Sequence, residues 1–340
     1  MKRALEEYEV DDTIKVIVFK GQGKAFCAGG DVVRYVQLVS KGHWSLAGSF
    51  YRKNLLLDYL IATYKKPLIM LMNGVVMGAG AGISMNASFR VATENTVFAM
   101  PESFIGHFPD VGASYFLSRL SGHFGEYLGL TGARISGSEM LECGLATHFV
   151  LSKDIKSLED ELDKTTYVHV SAIPATLEKF VHKPNLKQDS AWTRLDIINK
   201  CFSKKTVEEI LTSIETEVVH CKDKWLVAAI NSMKYASPTS LKICLKSIRE
   251  GRSSTLEDCL TRDYIISRHL ARRTFNNDGF EGTRAMFFDK NKRPQWEPSR
   301  LEEVGEEFVK QFFTNVDNDE DWDYLRLPNR KITNIKTSKL

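Results

Sequence analysis

Pro67-Leu68-Ile69-Met70-Leu71-Met72-Asn73-Gly74-Val75-Val76-Met77-Gly78-Ala79-Gly80-Ala81-Gly82 is the stretch that decides the fold class. Pro67 to Met72 is a short, wholly apolar run, which suits a strand buried on both faces. Asn73-Gly74 turns the chain. The small residues from Met77 to Gly82 then open a helix. Asn73, Ser84 and four glycines between Pro67 and Met85 argue for strand, loop and helix rather than a membrane span.

The same grammar extends on either side. Ile14 to Phe19 reads as a strand, Lys20 to Lys24 as a loop, and Ala25-Phe26-Cys27-Ala28-Gly29-Gly30-Asp31 as a run into a helix capped by Asp31. Leu55 to Tyr64 reads as an amphipathic helix ended before Pro67. Phe89 to Ala92 and Thr96 to Ala99 are short strands, and a helix spans about Gly112 to Leu120. Strands and helices alternating in short units predict a layered α/β core over residues 1–151. From Ser152 the character changes to long charged helical patterns, among them Thr206 to Val219, Leu241 to Arg249 and Leu256 to Leu270. Residues 152–330 therefore form a mainly helical region, and 331–340 a flexible tail.

Composition narrows the function classes. The 340 residues are 43% hydrophobic and 26% charged, which fits a globular chain. Lys and Arg number 46 against 43 Asp and Glu, too even a balance for a nucleic-acid binder. The six cysteines include no pair closer than Cys244 and Cys259, and the histidines show no zinc spacing, so neither a disulfide framework nor a bound metal is expected. The charged start, Met1-Lys2-Arg3, leads into no apolar signal core. The chain ends Ser338-Lys339-Leu340, the tripeptide address read by the peroxisomal import receptor, so peroxisomal localisation is expected.

Three segments carry chemistry. Two are the glycine-rich turns at Gly29-Gly30 and Gly78 to Gly82. Small residues admit a substrate to the main chain, and a helix start presents free N–H groups to developing negative charge. Two such turns facing each other would form an oxyanion hole. Close helix–strand packing explains either turn taken alone. Neither matches a nucleotide fingerprint, since Ile83 stands where a third glycine is required. The third segment, Pro101-Glu102 through Pro109-Asp110-Val111-Gly112, sets two carboxylates in apolar surroundings. Burial raises such pKa values toward neutrality, which suits proton transfer. The plainer reading is a loop in which Asp110 caps the following helix.

Seven ordered motifs together resemble one family. They are Lys24 to Asp31, Phe98 to Glu102, Phe108 to Gly112, Leu130 to Arg134, Gly144 to His148, Ser237 to Ser240, and Phe280 to Ala285. The chain resembles the crotonase (enoyl-CoA hydratase/isomerase) superfamily, and within it the 3-hydroxyisobutyryl-CoA hydrolases, particularly of the plant peroxisomal kind. The resemblance implies a spiral of strand–strand–helix units that binds an acyl-CoA thioester, CoA being part of the substrate and no further cofactor being needed. It implies oxyanion donors at the Gly30 and Ala79 backbone N–H groups, a catalytic glutamate at Glu102 and the hydrolase branch's second acid at Asp110. It also places a basic residue, here Lys24, near the CoA phosphates, although a solvated loop lysine reads the same way. Hydratases carry a second glutamate where this chain has Gly82, so the two-glutamate arrangement for adding water to a double bond is missing.

The implied reaction is hydrolysis of 3-hydroxyisobutyryl-CoA, an intermediate of valine breakdown. Glu102 would act as nucleophile or as general base, with Asp110 orienting the substrate hydroxyl or the attacking water. The alternatives are an enoyl-CoA hydratase or isomerase, and a non-catalytic protein that binds CoA esters or a partner. Homo-oligomers are common among such relatives and are an expectation here. Three departures stand out: Asn54 replaces a glutamate, His107 replaces an apolar residue, and Met1 lies only thirteen residues before Ile14. The family's opening strand and helix, which line the CoA site, are therefore expected to be largely missing, leaving a sheet edge open.

Overall fold

Leu68–Met72 is apolar at every position, and every one of its side chains is buried. In the computed structural model, which describes residues 1–166, 170–220, 223–316 and 323–330, this run is a central strand. Eight strands form two sheets: β1 (Ile17–Lys20), β2 (Ala25–Cys27), β3 (Leu68–Met72), β4 (Val75–Met77), β5 (Phe89–Ala92), β6 (Val97–Ala99), β7 (Ile135–Ser136) and β8 (His148–Phe149). One sheet has the order β1-β3-β5-β8 and the other β2-β4-β6-β7. All neighbours are parallel except β6 and β7. In the first sheet Ile17 pairs with Leu68 and Ile69 with Phe89; in the second Val75 of β4 stands between Ala25 and Val97.

The helices of this half are α1 (Lys2–Val10), α2 (Val32–Ser40), α3 (Trp44–Ala62), α4 (Ala79–Met85), α5 (Ala113–Leu117), α6 (Phe124–Thr131) and α7 (Gly137–Glu142). Each of the first three pairs of strands sends its first member to one sheet and its second to the other, then hands the chain to a helix. This is the α/β spiral of strand–strand–helix units that the resemblance implied. Asp31 caps α2 as expected, its carboxylate accepting the Arg34 N–H at 2.9 Å.

The structure corrects several sequence-based expectations. Ala25 to Cys27 and Val75 to Met77 are strands rather than the approaches to helices, because each finds a parallel partner that the local sequence does not show. The helix expected over Leu55 to Tyr64 begins at Trp44. Gly48 weakens helix propensity there, yet a Cβ at that position would lie 2.5 Å from the Arg268 guanidinium, so tertiary packing exploits the missing side chain. The opening helix is not missing either. In α1, Leu5 is buried in the main apolar cluster and its carbonyl accepts the Tyr64 hydroxyl at 2.6 Å, while Glu9 pairs with Arg330. No strand pairs with the outer side of β1 among the described residues, and β1 ends its sheet with Val18 exposed.

Beyond Ser152 the described elements are helical: α8 (Ile155–Thr166), α9 (Ile173–Glu178), α10 (Leu195–Phe202), α11 (Val207–His220), α12 (Lys224–Tyr235), α13 (Pro238–Gly251), α14 (Leu256–Arg272), α15 (Asp278–Thr283) and α16 (Glu306–Gln311), with short 3₁₀ and π turns between them. One apolar cluster runs from Leu5 through Phe98 and Leu128 to Ile248, so it draws on both halves of the chain. Helix α14 lies along α3, and α13 packs on α5 and α6. The expected flexible tail and its terminal tripeptide lie outside the described residues.

One tight joint in the core lies between β2 and α4. A Cβ added at Gly80 would fall 2.2 Å from the Cys27 carbonyl oxygen. Gly80→Ala is therefore expected to force the two segments apart and to cost about 1–3 kcal/mol. A urea titration should show a lower midpoint with an unchanged slope.

Candidate active site

The helices and strands above deliver all three sequence motifs to one cavity of about 450 Å³. Gly29 and Gly30 reach it from the end of β2, Met77 to Ala79 from the end of β4, and Glu102 and Asp110 from the segment after β6. Gly78 adopts φ 52° and ψ −120°, backbone that side-chain-bearing residues avoid. A Cβ there would stand 2.9 Å from Glu102 Oε1 and 3.6 Å from the Gly29 Cα. Both glycine turns and the Glu102 carboxyl thus converge on one point. Ala79 is the first residue of α4, so its N–H is among the donors a helix leaves unpaired.

The carboxyls sit in an apolar setting. Glu102 opens the 3₁₀ turn Glu102–Ile105, and its carbonyl accepts the His107 N–H at 3.0 Å. Its Oε2 is buried with no hydrogen-bond partner among the described residues. Burial, reinforced by the neighbouring Asp110 carboxyl, pushes Glu102 well above the usual carboxylate range. Burial lifts Asp110 to about 7. The side chain of Asp110 does not cap α5; its carbonyl instead accepts the Ala113 N–H at 2.8 Å.

Gly82 is explained by its surroundings. A Cβ at that position would lie 2.6 Å from Val111 Cβ and 3.0 Å from both carboxylate oxygens of Asp58. The space beside the end of the second turn is therefore filled from α3 and from the Asp110 loop, and no longer side chain fits there. Asp58 is itself buried, with its pKa driven up by burial and then by Asp110 and Asp263.

Three other residues flagged in the sequence divide. His107 lies in the cavity wall, where its Nδ1 stands 3.2 Å from the Tyr51 hydroxyl and its ring meets Tyr35 edge-on. Burial lowers its pKa to about 4, so the ring is neutral and serves as packing and as a polar wall. Asn54 also lines the cavity, near Gly30 and the Phe50 ring. Lys24 does not: it is exposed on the approach to β2, and its carbonyl accepts the Val75 N–H at 3.3 Å. Sequence reasoning missed Tyr35, Phe50, Tyr51 and Arg134 as lining residues, and the buried Asp58 and Asp263. An acid inside the apolar run from Leu55 to Ile61 was the one available signal for Asp58. No three His, Cys, Asp or Glu side chains among the described residues are arranged to hold a metal ion.

Raised carboxyl pKa values carry a stability consequence. Between the ordinary Asp value near 4 and the folded value of about 7, the folded protein retains a proton that the unfolded chain releases. Stability therefore falls as pH rises through that window. Asp110→Asn is expected to exceed the parent at pH 8 by on the order of 1–3 kcal/mol, with no advantage at pH 4. Chemical denaturation at the two pH values measures it.

Known proteins share both sequence and fold with this chain. The enoyl-CoA hydratase/isomerase family profile matches residues 1–313. A probable 3-hydroxyisobutyryl-CoA hydrolase 3 of Arabidopsis thaliana is 50% identical over 323 residues, covering 95% of this chain and 85% of the relative. The 3-hydroxyisobutyryl-CoA hydrolase 1 of the same plant is 48% identical over the same shares of the two chains. Among solved structures, a carnitinyl-CoA dehydratase from Mycobacterium thermoresistibile superposes with a TM-score of 0.85 at 30% identity, covering 96% of this chain and 89% of its own.

Proposed function

From the premise that this chain belongs to the enoyl-CoA hydratase/isomerase family, we propose that it is an acyl-CoA thioester hydrolase that converts 3-hydroxyisobutyryl-CoA to 3-hydroxyisobutyrate and CoA. The observation that carries this reading is the Glu102 carboxyl at the meeting point of the two glycine turns, with position 82 closed by Asp58 and Val111. A hydratase that adds water across a double bond with two glutamates has no room for its second one here.

In the proposed reaction the thioester carbonyl oxygen lies between the N–H groups of Gly30 and Ala79. These donors stabilise the oxyanion as the carbonyl carbon becomes tetrahedral; each is worth on the order of 10²–10³ in rate. Glu102, once ionised, supplies the electron pair that opens the reaction. It acts either on the carbonyl carbon directly, giving an anhydride that water opens, or on a water proton. The C–S bond breaks, and the thiolate of CoA leaves and takes up a proton. The half-buried Asp110, with a pKa near neutrality, holds the attacking water or the acyl hydroxyl. Tyr51, held by neutral His107, adds a polar wall to a pocket otherwise closed by Phe50, Phe104 and Phe287. The proposed setting is valine breakdown in the peroxisome, with Ser338-Lys339-Leu340 read by the import receptor.

Two measurements test these statements. Glu102→Gln is expected to lower thiol release from 3-hydroxyisobutyryl-CoA by about 10²–10⁴-fold while CoA-ester affinity stays within a few-fold; near-normal turnover refutes the assignment. Loss of unsaturation from crotonyl-CoA by the parent protein would favour the hydratase reading instead, and solvent ¹⁸O entering Glu102 in a single turnover selects the anhydride route. For the address, a fluorescent fusion ending at Leu340 should collect in peroxisomes, and deleting Leu340 should disperse it.

A further inference from the structure

Helix α14 places a buried acid directly behind the Asp110 loop. Asp263 is fully buried, and its Oδ2 accepts the Gly112 N–H at 2.8 Å. Its Oδ1 has no hydrogen-bond partner among the described residues. The intervening residue, Val111, has φ 54° and is buried. A β-branched side chain strongly disfavours that left-handed backbone, so its surroundings must hold it there. Three contacts do so. Val111 Cβ fills the space over Gly82, Leu256 and Leu260 of α14 close against Gly112, and Asp263 grips the Gly112 N–H. The neighbouring Arg262 ties α14 to the loop's own helix, donating to Ser114 Oγ at 2.9 Å, and to α13, donating to the Ser247 carbonyl at 3.2 Å.

We propose that Asp263 is a positioning residue: its hydrogen bond to Gly112 holds the strained Val111 turn that aims the Asp110 carboxyl into the cavity. A buried acid accepting one main-chain N–H on a strained loop, with its other oxygen left over, is a poor structural economy unless the loop's exact course matters. The course matters because Asp110 sits two residues away and lines the cavity. A misplacement of about 1 Å at such a site costs on the order of 10²-fold in rate. The inference rests on the reading that Asp110 acts on a bound thioester.

The test compares Asp263→Leu, which keeps the branched shape and loses the acceptor, with Asp263→Asn, which keeps an oxygen in place. Each is made alone and in an Asp110→Asn background, and kcat and KM for 3-hydroxyisobutyryl-CoA are measured. Asp263→Leu should lower kcat by about 10–100-fold with KM within about threefold, whereas Asp263→Asn should stay within about threefold of the parent. In the Asp110→Asn background Asp263→Leu should cost less than about twofold, because the group it positions is already disabled. Equal losses in both backgrounds, or an Asp263→Asn variant as impaired as Asp263→Leu, would overturn the proposal. Asp263→Glu, which keeps the carboxyl but pushes it one methylene toward the turn, should show the same selective loss, so the result does not depend on the folding of one variant. A crystal structure of whichever of these impaired variants folds supplies a readout free of activity. Val111 should leave the left-handed region and Asp110 should shift, and an unchanged turn sinks the proposal. A parent protein that releases no thiol would refute the functional reading, and the structural readout would still decide the positioning role.

Discussion

The contact between two main-chain segments, the Cys27 carbonyl and Gly80, sets the geometry on which the rest of the molecule depends. Two strands that neighbour each other in one sheet end in turns so close that no side chain fits between them. That approach brings Gly29, Gly78 and the Glu102 carboxyl to a common point. Backbone N–H groups make rigid donors because the fold itself holds them, and a site built from them needs little reorganisation when charge develops. The glycines are thus the packing solution, and in the proposed reaction the same turns supply the donors.

Electrostatics around this joint run against ordinary folding preferences. Four acids, Asp58, Glu102, Asp110 and Asp263, are buried or nearly so in one region; burial raises every one of their pKa values, and repulsion from neighbouring acids adds to it for Asp58, Glu102 and Asp263. Such a cluster is unfavourable for stability at neutral pH, where water would hold the ionised forms more comfortably. Its persistence makes sense where proton transfer near neutrality is the task, since that requires acids displaced from their solution values. His107 shows the converse: burial holds it neutral, so it adds hydrogen-bonding capacity without adding charge.

The helical half is more than an appendage. Helix α14 lies along α3, whose residues line the cavity, and carries Asp263 to the back of the Asp110 loop. Met286 and Phe287, from the turn after α15, close the other side of the same cavity. The site therefore combines residues from positions 28 to 287, and its shape depends on how two chemically different halves pack.

Much of this was legible in the residues alone. The apolar run at Leu68 to Met72, the glycine turns, the Asp31 cap and the isolated acids at 102 and 110 are local signals, because each arises from backbone geometry or from a charge out of place among apolar neighbours. What stayed hidden depends on partners distant in the chain. Strands β2 and β4 exist because other strands pair with them, α3 extends past Gly48 because Arg268 fills its groove, and α1 is held by Tyr64 and Arg330. Lys24 has two readings from the residues, a neighbour of the CoA phosphates or a solvated loop lysine, and its exposed side chain lies outside the cavity lining. Local sequence decides which chemistry a segment can perform, since that follows from residue type and backbone freedom. Which acid faces which turn, and which side chain closes the space at Gly82, was decided only by the tertiary fold, because those are distances between residues that no short-range rule connects.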